Sequence, residues 1–169
     1  CAKHFPGHGD TDSDSHKELP EITHSKERLD SVEILPFKML IDEGLGSVMV
    51  AHLYIPQLDN TKDLPTSLST KVINGLLKTE LEFKGLVITD ALNMKGVSKF
   101  YEPGIVDVKA LLAGNDILLF SQDVPEAIKQ IKLAIENKEI SQEEVDSRCK
   151  KILLKKYWMG LSDFSPLDL

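Results

Sequence analysis

Apolar residues along this chain fall into two kinds of run that alternate. Val48-Met49-Val50-Ala51, Leu86-Val87-Ile88 and Ile117-Leu118-Leu119 are short and unbroken. Such runs predict strands of a parallel sheet, covered on both faces. They place strands over Ser47 to Ile55, Leu86 to Thr89 and Asp116 to Phe120, and Cys1 to Phe5 reads as the end of another. The stretches between them carry helical spacing. Leu29, Val32, Leu35, Phe37, Leu40 and Ile41 recur through Ser25 to Glu43. Pro36, favoured at a first helical position, divides that region into a short turn and a helix that Gly44 ends. Ser69 is placed to cap a helix reaching Leu81, with Val72, Ile73, Leu76 and Leu77 on one face. Asp107 to Ala113 predicts a short helix stopped by Gly114. Val124 to Asn137 predicts a longer one, and Ser141 with Glu144 forms a capping box that opens a last helix to Tyr157.

The resulting order is four β–α pairs plus one extra helix, which indicates right-handed βαβ units. Four units are half of an eight-stranded barrel, a fold of about 250 residues. The pattern alone equally allows a four-stranded open sheet.

Composition narrows the function. The 169 residues are 41% hydrophobic and 28% charged, an ordinary globular balance for one domain. A net charge of −7 argues against nucleic acid or an anionic membrane surface as partner. No apolar run approaches the ~20 residues of a membrane span. Cys1 and Cys149 are too few for a disulfide framework and lack metal-ligand spacing, so Cys149 reads as a small buried apolar residue. The chain opens at Cys1, without an initiator Met and directly on a motif. It is therefore expected to be cut from a longer protein, and its compartment stays open.

In a parallel barrel the reactive groups sit at the carboxyl ends of strands. Lys3 and His4, His52, and Asp90 occupy such ends here. Asp90 is a charge placed where an apolar strand gives way to a loop, although a turn or helix cap would also use an aspartate there. Four of the five histidines (His4, His8, His16, His24) lie in the first 24 positions. Asp14 and His16 are two apart in a polar loop, and extended backbone puts such residues on one side. A carboxylate there can orient an imidazole and stabilise its protonated form, the build of a histidine general acid/base. The alternative is a solvated loop histidine.

Metal readings fit poorly. Asp10, Asp12 and Asp14 with Glu21 echo a calcium loop, but Ser15 stands where glycine is needed and no clean helix precedes. His4, His8 and His16 include no helical pair for zinc. Gly7 and Gly9 form only part of a phosphate-binding fingerprint. No metal and no cofactor are expected.

The run Lys3-His4-Phe5-Pro6-Gly7-His8-Gly9, closed by Asp14-Ser15-His16, resembles the signature of glycoside hydrolase family 3 in its β-N-acetylhexosaminidase branch, which includes bacterial N-acetylglucosaminidases. Gly85-Leu86-Val87-Ile88-Thr89-Asp90-Ala91-Leu92-Asn93-Met94 resembles that branch's nucleophile strand. Val48 to His52, Leu68-Ser69 to Gly85, and Ala113-Gly114-Asn115-Asp116 fit in the same order. The resemblance implies an α/β fold, the C-terminal half (strands 5–8) of a TIM (β/α)8 barrel, over residues 1–169 with an extra helix at about 141–157. It implies a retaining exo-β-N-acetylhexosaminidase acting through a covalent glycosyl-enzyme. Asp90 would be the nucleophile, His16 the general acid/base and Asp14 its orienting partner, while Lys3 and His4 would bind the sugar. The expected partner is an amino-sugar glycoside, terminal β-linked N-acetylglucosamine of peptidoglycan or chitin fragments. β-Glucosidases and phosphorolytic members exist in such families; the Asp14/His16 pair disfavours the former. The source is expected to be bacterial, with cytoplasm, periplasm and export all open.

A rival reading makes the chain by itself a non-catalytic, associating half-barrel or a sugar-binding module. Half a barrel leaves open edges through which it would self-associate. It would also leave inward apolar side chains such as Val48, Val50 and Val87 without an opposite wall.

Overall fold

The computed structural model describes residues 1–11 and 18–162. Three strands, β1 (Ala2–Phe5), β2 (Ser47–Val50) and β3 (Leu86–Thr89), form a parallel sheet in the order β1-β2-β3. Val48 lies opposite Val87 and Met49 opposite Ile88; β1 joins through Ala2 opposite Val48 and Phe5 opposite Val50, with an irregularity between.

The two faces of this sheet differ. Phe5, Val48, Val50 and Val87 are fully buried and pack with Leu29, Phe37, Val72, Ile73 and Leu77 from the helices. Phe5 and Phe37 meet edge to face, ring centroids 5.2 Å apart. The alternate positions, His4, Ser47, Met49, Leu86 and Ile88, are only partly buried. Since successive side chains point to opposite faces, Val48, Val50 and Val87 face the helices. The expectation that they want an opposite wall is corrected, and the half-open face is that of Met49 and Ile88.

The expected strand Asp116 to Phe120 is also corrected. Only Ile117 bridges to Ile88, with no continuous ladder. Backbone bonds persist around the bridge, Ile117 N–H to Val87 O at 3.1 Å and Thr89 N–H to Ile117 O at 3.0 Å, but on either side of it side chains substitute: Val87 N–H donates to the Asp116 carboxylate at 2.8 Å and Leu119 N–H donates to the Thr89 hydroxyl at 2.9 Å. Phe120, at φ 53°, turns the chain away. The strand expected over Ser47 to Ile55 stops at Val50, and Tyr54 instead bridges to Glu21.

Most helices follow their local signals. Ser25 caps α1 (Lys26–Arg28), which continues into a turn (Leu29–Glu33) closed by an i→i+5 bond from Ile34 N–H to Leu29 O at 2.8 Å. Then α2 (Leu35–Asp42) begins with Pro36 in its first turn. Thr66–Leu68 is one 3₁₀ turn. The Ser69 hydroxyl accepts Val72 N–H at 3.2 Å and opens the helix Lys71–Glu80, also wound with i→i+5 bonds, which buries Val72, Ile73, Leu76 and Leu77. A short α3 (Lys95–Ser98) has no counterpart in the sequence reading. α4 (Ile105–Ala113) ends at Gly114 in the left-handed conformation, φ 112°. A Cβ there would lie 2.3 Å from Asn74 Oδ1, so only glycine fits. α5 (Val124–Glu136) is capped by Asp123, and α6 (Gln142–Trp158) by the Ser141/Glu144 box.

α6 buries none of its residues. Cys149 is therefore exposed rather than buried as expected. No described helix is long and apolar enough to cross a membrane.

Candidate active site

Strand periodicity brings the candidate residues together. His4 and Asp90 fall on the half-open face, at the carboxyl ends of β1 and β3. Asp90 Oδ2 lies 3.9 Å from His4 Nε2. The other oxygen, Oδ1, accepts Ala91 N–H at 2.8 Å, and Asp90 N–H donates to Val50 O at 2.9 Å. The backbone bond carries the β2–β3 ladder one residue past the strand, so the aspartate stands on a fixed base. Lys3 is exposed at the end of β1, and its peptide bond to His4 is cis, as is Phe5–Pro6.

Electrostatics at His4 favour a neutral ring. Partial burial pushes its pKa below the usual value, Asp90 opposes this, and the charges of Lys3 and His8 reinforce it. His8 sits edge-on to His4 with ring centroids 6.1 Å apart, and its Nδ1 is 3.0 Å from the Thr11 hydroxyl.

The loop after β1 is seated by Gly7, at φ 140°. A Cβ at Gly7 would lie 2.7 Å from Glu33 Cβ, so the motif's first glycine lets the backbone pass directly over Glu33. Beyond it, the Asp10 carboxylate reaches His24 Nε2 at 2.8 Å and Arg28 Nη2 at 3.3 Å, and Arg28 Nη1 pairs with buried Glu33 at 3.2 Å. The bond from His24, with smaller help from Arg28, holds the Asp10 carboxyl below its ordinary range. Asp10, His24 and Glu33 offer ligand atoms within 4.8 Å of one another, close enough for a cation. The Arg28 guanidinium already bridges the two carboxylates and supplies the positive charge, so this cluster is an ion-pair network. Asp14 and His16, the expected acid/base pair, lie outside the described residues.

The sequence reading placed His52 at a strand end without giving it a role. The structure buries it completely. Its Nδ1 is 2.6 Å from the Ser67 hydroxyl and its Nε2 is 3.1 Å from Ala91 O. Burial lowers its pKa to about 4, against the opposing pull of the Ala91 carbonyl and of Asp90, so the ring is neutral at ordinary pH. Its spacing past an apolar strand marked the location; partners distant in sequence gave no signal.

Chemically, this is a carboxylate with one oxygen held by an amide and the other turned toward a neutral imidazole, at the edge of a half-open face. It can attack an electrophilic carbon or stabilise a developing positive charge there, with His4 beside it as a hydrogen-bond donor.

Residues 1–154 match the family model described as "Glycosyl hydrolase family 3 N terminal domain". "Beta-hexosaminidase A" of Pseudoalteromonas piscicida is 34% identical over 89% of this chain, which covers 28% of that protein. A "Beta-hexosaminidase" of Actinobacillus pleuropneumoniae serotype 3 (strain JL03) is 40% identical over 76% of the chain and 36% of that protein. The solved glycoside hydrolase family 3 β-N-acetylglucosaminidase from Paenibacillus sp. str. FPU-7 is 40% identical, with TM-score 0.93 over 99% of this chain and 32% of that one. The chain thus spans about a third of the length of these relatives. The match to that family model over residues 1–154, on a parallel α/β architecture shared with the solved relative, places this protein in glycoside hydrolase family 3, among its β-hexosaminidase relatives.

Proposed function

We propose that this chain supplies the carboxyl half, strands 5–8, of the barrel of a retaining exo-β-N-acetylhexosaminidase. The substrate class is a terminal β-linked N-acetylglucosamine of peptidoglycan or chitin fragments, on the analogy of the β-hexosaminidase relatives. The observation that carries the reading is Asp90 at the end of β3, its Oδ1 tied to Ala91 N–H and its Oδ2 facing His4. In this reading Asp90 attacks the anomeric carbon, and the leaving oxygen takes a proton from His16, which Asp14 orients. Water then cleaves the glycosyl-enzyme, with His16 as base. Lys3 and His4 hold hydroxyls of the sugar. Most glycosidases use a second carboxylate as acid; here histidine serves, the side chain type whose unperturbed pKa suits giving and then taking a proton near neutral pH.

In the full-length protein, Asp90→Ala should abolish covalent labelling by a fluorinated N-acetylglucosaminide. Labelling that survives in Asp90→Ala would remove Asp90 from the nucleophile role.

The chain alone has a second reading as an associating half-barrel. Leu35, Met39 and Leu40 on α2 are exposed, beside a cavity of about 350 Å³ lined by Cys1, Ala2, Lys3, Pro36, Phe37 and Leu40. This apolar edge flanks β1, the outer strand of the sheet, where unpaired backbone invites a further strand.

A further inference from the structure

We infer that His52 is a positioning residue for the nucleophile, acting through the backbone of Ala91; this rests on the reading of Asp90 as nucleophile. Four groups form one chain of hydrogen bonds. The Ser67 hydroxyl meets His52 Nδ1 at 2.6 Å, His52 Nε2 meets Ala91 O at 3.1 Å, and Ala91 N–H meets Asp90 Oδ1 at 2.8 Å. A backbone carbonyl can only accept, so Nε2 must carry the proton. Nδ1 of the neutral ring then accepts, and Ser67 must donate. Every polar atom of the buried ring is satisfied in this one tautomer.

The start of the relay is rigid. Ser67 lies in the buried Thr66–Leu68 turn, which is stapled to the continuation of β2. Thr66 Oγ1 donates to Ala51 O at 2.7 Å and accepts Leu53 N–H at 3.2 Å, while Asn115 Nδ2 donates to Ser67 O at 2.8 Å. The end of the relay decides catalytic geometry. The amide of Ala91 selects the rotamer of Asp90, so that Oδ2 is left facing His4. Ala91 O belongs to the 91–92 peptide, where Met94 N–H also donates to it at 3.0 Å and Leu92 N–H donates to Leu119 O at 2.9 Å; His52 is the side-chain contact that fixes this peptide against β2, and with it the orientation of the Ala91 amide that holds Asp90. An apolar side chain could fill the same space but would remove the imidazole bond and leave Ala91 O with the Met94 N–H alone. A neutral ring also leaves the carboxylate's charge intact for attack.

Three variants of the full-length protein test this: His52→Leu, His52→Gln and Ser67→Ala. Glutamine can place an amide N–H near the position of Nε2; leucine cannot. The readouts are the rate of covalent trapping by the fluorinated N-acetylglucosaminide, KM for a chromogenic substrate, and the amide-proton NMR shift of Ala91, all normalised to folded protein. His52→Leu should trap roughly 100-fold more slowly, the loss expected for a misplacement of about 1 Å, with KM within about three-fold of wild type. His52→Gln should recover about ten-fold of that loss. Ser67→Ala, which removes a hydroxyl without opening a large void, should slow trapping by about ten-fold and shift the Ala91 amide. If His52→Leu does not fold, the Ser67→Ala and His52→Gln results decide. Wild-type trapping in folded His52→Leu or Ser67→Ala, with Asp90→Ala inactive, would overturn this inference alone. Full trapping in Asp90→Ala would overturn it together with the reading beneath it.

Discussion

His52 is a buried base with its pKa held at about 4, which makes the stability of the chain depend on pH in a set direction. Unfolded, the ring titrates near 6.5, so below that value the unfolded state binds a proton that the folded state refuses. The stabilising difference is fully present above about pH 6.5 and is lost as pH falls toward about 4. Between about pH 7 and 5 the loss is about 2 kcal/mol. Urea unfolding of wild type against His52→Gln should show that loss in the former and its absence in the latter; parallel pH profiles would contradict it. The acid/base assignment gives a second prediction at this scale. His16→Ala should slow substrates with poor leaving groups by about 10²–10⁴-fold while sparing good ones, which depart without a proton. Equal losses would mark His16 as structural. Asp90 was legible in the sequence because a charge at the end of an apolar strand is visible locally. The role proposed for His52 was not, because it depends on Ser67 and Ala91, 15 and 39 residues away.

Elements were legible where the deciding signal is local. Ser141 with Glu144, Pro36 and Gly114 each mark a helix end through chemistry within a few residues. The fourth strand was not, because Asp116 and Thr89 replace ladder bonds with side-chain ones, a substitution the apolar run Ile117-Leu118-Leu119 does not reveal. The facing of β2 was hidden for a related reason: apolar residues occupy both sides, so parity alone does not say which side meets the helices. The loop after β1 yields a prediction of its own. Gly7→Ala forces a Cβ against Glu33 at a positive φ, and should cost about 1–3 kcal/mol by overpacking. It should also shift the Arg28–Asp10–His24 network that follows. A thermal melt and the His24 ring resonances check both; an unchanged melt would mean that the loop relaxes freely.

On the scale of the molecule, the three paired strands and two isolated bridges among the described residues leave open edges. The apolar residues of α2 and the exposed Leu153, Leu154, Tyr157 and Trp158 of α6 add to the uncovered surface. Large apolar patches seldom stay free in a monomer. The chain alone should therefore sediment as an oligomer at high concentration and turn over substrate weakly, lacking groups that orient the sugar. A strict monomer as active as the full-length protein would contradict this. The central claim, that Asp90 carries the glycosyl group, has a more direct measurement. Trypsin cutting after Lys84 and Lys95 releases Gly85 to Lys95, in which Asp90 is the only carboxylate side chain. After trapping the full-length protein with a fluorinated N-acetylglucosaminide, the mass of one glycosyl group should appear on that peptide. Its appearance on any other peptide would contradict the account.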